Sequence, residues 1–315
     1  MEPNTQNSIP ITSDQLDLWL DGVLALCQRG QLVDGILHLG QALRFDHPAV
    51  MAYSKNRWAN SGFLQNALAL WERLIDTGHF SNSFPSELEL RNFLTNQFAN
   101  QQESLIEDLT VNQCWQQRLL LHVGCGDKTQ QDTGPGFLSP AQWREIRVDV
   151  DPGANPDIRG SLTNLAAIPS HSVDAVFSSH TLEHLYWQEV PKALGEIYRV
   201  LKPSGFTLSW VPDLQVAAQW ILQDKMFEVI GRTPFGPLTP FDLVFSHRGA
   251  VDRHNPAMAH HCGFTLTTLG QVHQTAGFGA VYCKPRIAGF DLQGLATKAI
   301  VPPPLLQTLA AVYFY

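Results

Sequence analysis

Apolar positions recur at helical spacing through the first third of the chain, then give way near residue 118 to short continuous apolar runs. Leu16, Trp19, Leu20, Val23, Leu24 and Cys27 form one stripe of the helical period, and Leu32, Ile36, Leu39 and Leu43 form a second. The spacing predicts two helices joined at Gly30. A second pair is predicted from about Ala49, with Met51, Tyr53 and Trp58 on one helix and Leu64, Ala67, Leu68, Trp71 and Leu74 on the next. Placing Gly30 on Gly62 also places Leu32 on Leu64, Gly35 on Ala67, Leu39 on Trp71 and Ala42 on Leu74, a constant shift of 32 residues. Small residues in such a repeat let helices approach, and bulky ones fill the neighbouring gap. Two hairpins are fewer than the three or so repeats that a free-standing solenoid needs, so these helices should pack on another domain or a partner. The polar segment 1–13 reads as a loose tail ending at an N-cap, Ser13 or Asp14. Residues 81–86 read as a break, with Ser86 capping a bridging helix from Glu87 towards Gln101.

From residue 118 the pattern is that of buried parallel strands. Arg118 to Gly126 is a continuous apolar run closing on Gly124-Cys125-Gly126, and glycines at such a turn let a backbone approach a ligand. About 22 residues on, Ile146 to Pro152 is a second strand that ends in carboxylates. A carboxylate there can accept both ribose hydroxyls of a nucleoside cofactor. Asp149 is the first choice for that acceptor and Asp151, which also suits an Asp-Pro turn, the second. Val173–Ser179 is a further short strand, leading through His180–His184 into a helix. Residues 189–201 form an amphipathic helix stopped at Lys202–Gly205, and Phe206–Val211 a further strand. Alternation of strands and helices implies an open parallel sheet with ligands at the carboxyl ends of its strands.

The motifs HVGCG, RVDVDP, PSHSVDAVFSSHTLEHL and EIYRVLKPSGFTLSWVPD resemble, in order and spacing, those of class I S-adenosylmethionine-dependent methyltransferases, and most of all bacterial members of the methyltransferase 11 type. The resemblance spans roughly residues 118–297. It implies an α/β, Rossmann-like sheet with helices on both faces and S-adenosyl-L-methionine as cofactor, released as S-adenosyl-L-homocysteine. Carried over by position, Val123, Gly124, Cys125 and Gly126 would approach the methionine and ribose, with Asp149 and Val150 at the ribose and adenine. Ser161 and Leu162 would stand by the adenine, where relatives often carry an acid instead. Ser178, Ser179 and His180 would border cofactor and substrate. The third glycine of the fuller glycine-rich motif is missing, and residues 127–143 offer a loop where a helix is usual. A nicotinamide dinucleotide needs a helix N-terminus beneath its pyrophosphate, so the departure disfavours that cofactor. The N-terminal hairpins are similar to degenerate tetratricopeptide repeats.

Three regions follow: a helical, tetratricopeptide-like domain over 1–112, a methyltransferase domain over 113–300 with a lid inserted at about 214–263, and a C-terminal tail over 301–315. The lid holds Gly231, Pro234, Gly236, Pro237 and Pro240, then His247, His254, His260 and His261. Residues 265–276 are predicted as a helix, and 279–284 with 290–297 as a closing antiparallel hairpin. His180, at a strand end, is the first candidate for a general base, followed by His260 and His261, while His184 is expected to pack or cap. A metal site built from His254, His260, His261 and Cys262 is not expected, because adjacent side chains of an extended segment point to opposite faces. Trp187, Trp210 and Trp220 could line an apolar pocket or belong to the core.

Composition narrows the partners. The formal charge is −8, with 21 basic and 29 acidic residues and no long basic run, which disfavours nucleic acid. The five cysteines are scattered and never in a C-x-x-C pair, which favours neither a disulfide framework nor structural zinc and points to the cytoplasm. No membrane span is expected, since no stretch of about 18 uninterrupted apolar residues occurs. The acceptor is expected to be a small or medium-sized molecule methylated on oxygen or nitrogen, free or carrier-bound. Residues 14–112 are a candidate surface for a protein partner, and a non-catalytic cofactor-binding scaffold is the remaining alternative.

Overall fold

The computed structural model describes residues 11–29, 31–58, 61–76, 94, 117–138, 142–233, 235–251, 258–286 and 290–314. The helix expected over 87–101 and His254 lie outside them. Two compact units emerge, one of Met1–Gln116 with Val301–Phe314 and one containing Gln117–Ile300.

In the first unit the predicted helical hairpins form α1 (Ser13–Gln28), α2 (Leu32–Phe45), α3 (His47–Arg57) and α4 (Gly62–Asp76). The N-cap of α1 is Thr12, not Ser13 or Asp14. Its hydroxyl accepts from Gln15 N and the Gln15 side chain accepts from Thr12 N, a reciprocal capping box. Trp19, Leu20, Leu24, Leu39 and Leu43 are fully buried, as the stripes require. The small-against-bulky logic is realised between α2 and α4. A Cβ on Gly40 would strike the Trp71 ring, whose Nε1 donates to Ile36 O at 3.0 Å. Residues 301–315, read as a tail, are instead largely a helix, α10 (Pro303–Tyr313), which completes this unit. Leu305, Thr308, Leu309 and Val312 turn inward, Arg29 Nη1 donates to Val312 O at 2.6 Å, and the Thr308 hydroxyl lies 2.9 Å from His38 Nδ1. That i, i+3, i+4, i+7 spacing was available in the sequence.

The second unit is built on a seven-stranded sheet. Its strands are β1 (Arg118–Val123), β2 (Trp143–Asp149), β3 (Ile158–Arg159), β4 (Val173–Ser179), β5 (Leu201–Pro212), β8 (Ala280–Arg286) and β9 (Asp291–Thr297), in the order β3-β2-β1-β4-β5-β9-β8. The first five pair in parallel, while β9 runs antiparallel to both β5 and β8. The chain order reverses across β1 and β4, and in such sheets the crevice beyond that reversal is where ligands bind. One face is covered by α5 (Val190–Val200) and α9 (Leu266–Thr275). Val190, Ala193, Leu194, Ile197 and Val200 of α5 recur at the helical period and pack with Leu121, Val176 and Val211 of the sheet. On the other face Phe137, Trp143, Phe177, Phe206 and Trp210 form a chain of ring contacts. Phe137 comes from the β1–β2 connection, which has two single helical turns, Gln130–Asp132 and Pro135–Phe137, where a regular helix is usual.

The insertion after β5 contains α6 (Leu214–Ile221), the short hairpin β6–β7 (Gly231–Thr233 and Gly236–Leu238), α7 (Pro240–Phe245) and α8 (Arg248–Val251). Its neck is tight. Asp213 bridges Phe264, and Gly263 sits where any Cβ would run into Leu214. Asp242, 2% exposed, ties the inserted segment together by accepting from Thr239 and Arg248.

Candidate active site

The site begins at the two glycines, and the structure separates their roles. Both adopt left-handed backbone, φ +63° at Gly124 and +55° at Gly126, a region open to glycine at no steric cost. A Cβ on Gly124 would collide with the Thr181 side chain, so Gly124 lets two loops pack closely while its backbone remains partly exposed. A Cβ on Gly126 would meet nothing within 4 Å, so that residue borders open space. Val123 and Cys125 are each 1% exposed, leaving only their backbone to face a ligand. Burial pushes the Cys125 thiol up to about 11.

Asp149, at the tip of β2, stands directly beside this turn. Its Oδ2 accepts from Gly126 N at 2.8 Å and its Oδ1 from Asp151 N at 2.9 Å. A carboxylate has about four acceptor positions, so each oxygen keeps a lone pair for a further donor. Asp151 instead accepts from Gly153 N and caps its own turn. Val150 follows with 52% of its surface exposed, an apolar face presented to solvent next to the acid. The Ser161 hydroxyl is engaged with Thr163, at 2.9 Å from its Oγ1, and Leu162 is buried in the core, so their backbone is what remains for an adenine. An open glycine turn, a braced carboxylate and an exposed apolar residue fit the ribose and adenine of S-adenosylmethionine.

Arg147 was missed by the sequence reading. Its guanidinium donates to Lys128 O, Asn155 O, Gly126 O and Ala154 O at 2.6–3.0 Å, joining the glycine turn to the turn after β2. No local signal marks it, because all four partners are main-chain carbonyls on two loops.

At the end of β4 the two serines part. Ser178 is buried and its hydroxyl has no hydrogen-bond partner, while Ser179 lies half-buried on the opposite face. His180 is left-handed at φ +53°, a conformation that costs a non-glycine residue roughly 1–2 kcal/mol, and its N–H still donates to Trp210 O. Its Nδ1 lies 3.3 Å from Glu183 Oε1 and its Nε2 3.6 Å from Asp291 Oδ1. Some 41% of the side chain remains accessible, whereas Glu183 is 1% and Asp291 6% exposed at their side chains. Crowding around the ring works against its charge, but Glu183 and then Asp291 outweigh it and raise the His180 pKa above the ordinary range. Burial pushes Asp291 up, partly opposed by His180 and Arg286. Both ring nitrogens of His180 thus face carboxylates, an arrangement unlike that of an open general base.

The segment expected to lead through His180–His184 into a helix forms two single turns, Leu182–His184 and Trp187–Glu189, ahead of α5. The first of them is clasped by residues 259–262. His261 N and Cys262 N both donate to Glu183 O, His184 Nδ1 meets Ala259 O at 3.1 Å, and Cys262 Sγ reaches Leu182 O. His260 and His261 do point apart. His260 packs its ring against His184, with Nδ1 3.2 Å from Leu243 O, and burial lowers its pKa. His261 stacks on Tyr186 at 4.3 Å, turned out of the cluster. Trp210 belongs to the core at 4% exposure, Trp187 is half exposed beside Phe264, and Trp220 lies under Lys225.

Residues 116–209 match the family model described as a methyltransferase domain. Among solved structures, a SAM-dependent methyltransferase from Methanosarcina mazei is 14% identical, covering 61% of this chain and 98% of its own, with a TM-score of 0.39. A possible histamine N-methyltransferase from Thermotoga maritima is 16% identical, covering 65% and 99%, with a TM-score of 0.36. The Burkholderia thailandensis 1,6-didemethyltoxoflavin-N1-methyltransferase, with bound 1,6-didemethyltoxoflavin and S-adenosylhomocysteine, is 16% identical, covering 73% and 90%, with a TM-score of 0.37. No curated protein matches. Among the described residues no helix is long and apolar enough to cross a membrane.

Proposed function

We propose, from the premise that residues 116–209 are a class I S-adenosylmethionine-dependent methyltransferase domain, that this chain methylates an oxygen or nitrogen of a small or medium-sized acceptor. The observation that carries the reading is the pairing of Gly126 with Asp149: an open left-handed turn braced against a carboxylate that keeps acceptor capacity for two hydroxyls. When bound, the cofactor supplies a methyl group activated on sulfonium. The residues of this chain supply position. Gly126 leaves room for the methionine and ribose, Asp149 fixes the ribose, and Val150 offers an apolar surface for the adenine. Alignment of this kind contributes about 7–11 kcal/mol to well-oriented intramolecular reactions. His180, held between Glu183 and Asp291, forms the wall on the acceptor side. It takes a proton from an acceptor only if it first releases one of those carboxylates. The insertion over 214–263 rises at the same strand ends and excludes water from the transfer.

The test is acceptor-dependent formation of S-adenosylhomocysteine by purified full-length protein against a panel of small hydroxyl and amine compounds. Turnover of at least one class, lost in Asp149→Ala, supports the reading. Turnover that survives Asp149→Ala at the wild-type rate would contradict it.

A further inference from the structure

The Glu183 carboxylate is buried, yet neither of its oxygens accepts a hydrogen bond. Leaving a buried carboxylate without such partners is costly; His180 Nδ1 stands 3.3 Å from Oε1 as its ion-pair partner, while Oε2 has no hydrogen-bond partner. One ligand-type atom each from Glu183, His184 and His260 lies within 4.8 Å of the other two. The two histidines are oriented by the main chain. His184 Nδ1 faces Ala259 O and His260 Nδ1 faces Leu243 O, at 3.1 and 3.2 Å. A carbonyl can only accept, so each Nδ1 carries the hydrogen and each ring keeps Nε2 as its donor atom towards a metal. This is the outer support that metal-ligating histidines have, one ring nitrogen hydrogen-bonded to a backbone carbonyl so that the other is aimed and made more basic.

We propose that Glu183, His184 and His260 bind a divalent cation of the zinc class. Two imidazoles and one carboxylate match that ion's preference for nitrogen and oxygen donors, and disfavour magnesium and calcium, which take oxygen. Tetrahedral zinc with bonds of about 2.0–2.2 Å holds its ligand atoms roughly 3.4 Å apart, so a modest inward turn of the two rings completes the site. Three protein ligands leave a fourth position for water or an acceptor oxygen, as in catalytic rather than structural zinc sites. The segment carrying His260 is already pinned to the Glu183 turn by two backbone hydrogen bonds. The proposal does not depend on methyl transfer, since the ion itself is what is measured.

Full-length protein stripped with a chelator would be titrated with Zn²⁺, and with Co²⁺ as a spectroscopic probe. One equivalent should bind, with cobalt visible bands of a nitrogen and oxygen site and no thiolate charge-transfer band. His260→Ala, at a half-buried position, should weaken binding by at least about 100-fold, above the 10–100-fold that loss of outer support alone produces. Glu183→Gln should do likewise, while His261→Ala and Cys262→Ser should leave affinity unchanged. Far-UV circular dichroism separates loss of a ligand from loss of fold. Absence of binding in the folded wild type, unchanged affinity in folded His260→Ala, a thiolate band, or preference for Mg²⁺ would each overturn the proposal.

Discussion

The tip of β2 and the tip of β4 hold carboxylates of opposite character. Asp149 is half-buried, accepts two backbone N–H groups and keeps acceptor capacity for further donors. Glu183 is fully buried, accepts no hydrogen bond, and is surrounded by His180, His184 and His260. The first is complete by itself and suited to neutral hydroxyls. The second has the His180 ring as its ion-pair partner, with Nδ1 3.3 Å from Oε1. The two turns are joined physically where Thr181 fills the space above Gly124.

The sharpest way to break this comparison is at the glycines, which look alike in sequence. Gly124→Ala adds overpacking of roughly 1–3 kcal/mol against Thr181 to a left-handed strain of roughly 1–2 kcal/mol. We expect a stability loss of about 2–5 kcal/mol in urea denaturation. The Gly124→Ala/Thr181→Gly double variant should recover the overpacking part. Gly126→Ala should cost only about the left-handed strain of 1–2 kcal/mol, yet weaken S-adenosylhomocysteine more than Gly124→Ala does. Equal effects of the two on binding would merge what the structure separates. Arg147→Met should weaken the same ligand by about tenfold, or 1.4 kcal/mol, by freeing the two turns while leaving stoichiometry at one. An unchanged affinity would remove Arg147 from the account.

The smallest effect concerns the insertion. Burial alone would raise the Asp242 pKa, but hydrogen bonds from Thr239 and Arg248 outweigh it and hold it below the usual carboxylate value. A depressed folded pKa contributes stability that is fully present above the unfolded value of about 3.9 and is lost as pH falls through the folded pKa. Amide exchange over residues 240–245 should therefore accelerate below about pH 4 ahead of exchange in β4 and β5. Asp242→Asn should show that faster exchange already at neutral pH. Exchange that stays uniform across both regions would count against a separately held insertion.

Much of the sheet was legible because buried parallel strands are continuous apolar runs closed by turn residues. β4 was bounded as Val173–Ser179, and the closing antiparallel pair was placed within two residues at each end. β3 was not read as a strand, having two residues and no period to detect. β5 begins at Leu201 across Lys202–Gly205, which read as a helix stop, because strand pairing with Val173 and a register shift overrode the local turn signal. Gly126 and Asp149 were legible because strand–turn–strand spacing alone brings them together. The packing of Thr181 against Gly124 was not legible, since the motif does not reveal a side chain on another loop. The grouping of Glu183, His184 and His260 was not legible either: the contact of His184 with Ala259 spans 75 residues, and sequence spacing relates a histidine only to its chain neighbours.

The most direct test of the central claim is calorimetric titration of full-length protein with S-adenosylhomocysteine, in wild type and Asp149→Ala side by side. The account predicts saturable one-to-one binding that falls by about 100-fold in the variant, the scale of losing hydrogen bonds to a charged group, with the melting temperature little changed. No binding by folded wild type, or equal binding by the two, would contradict it.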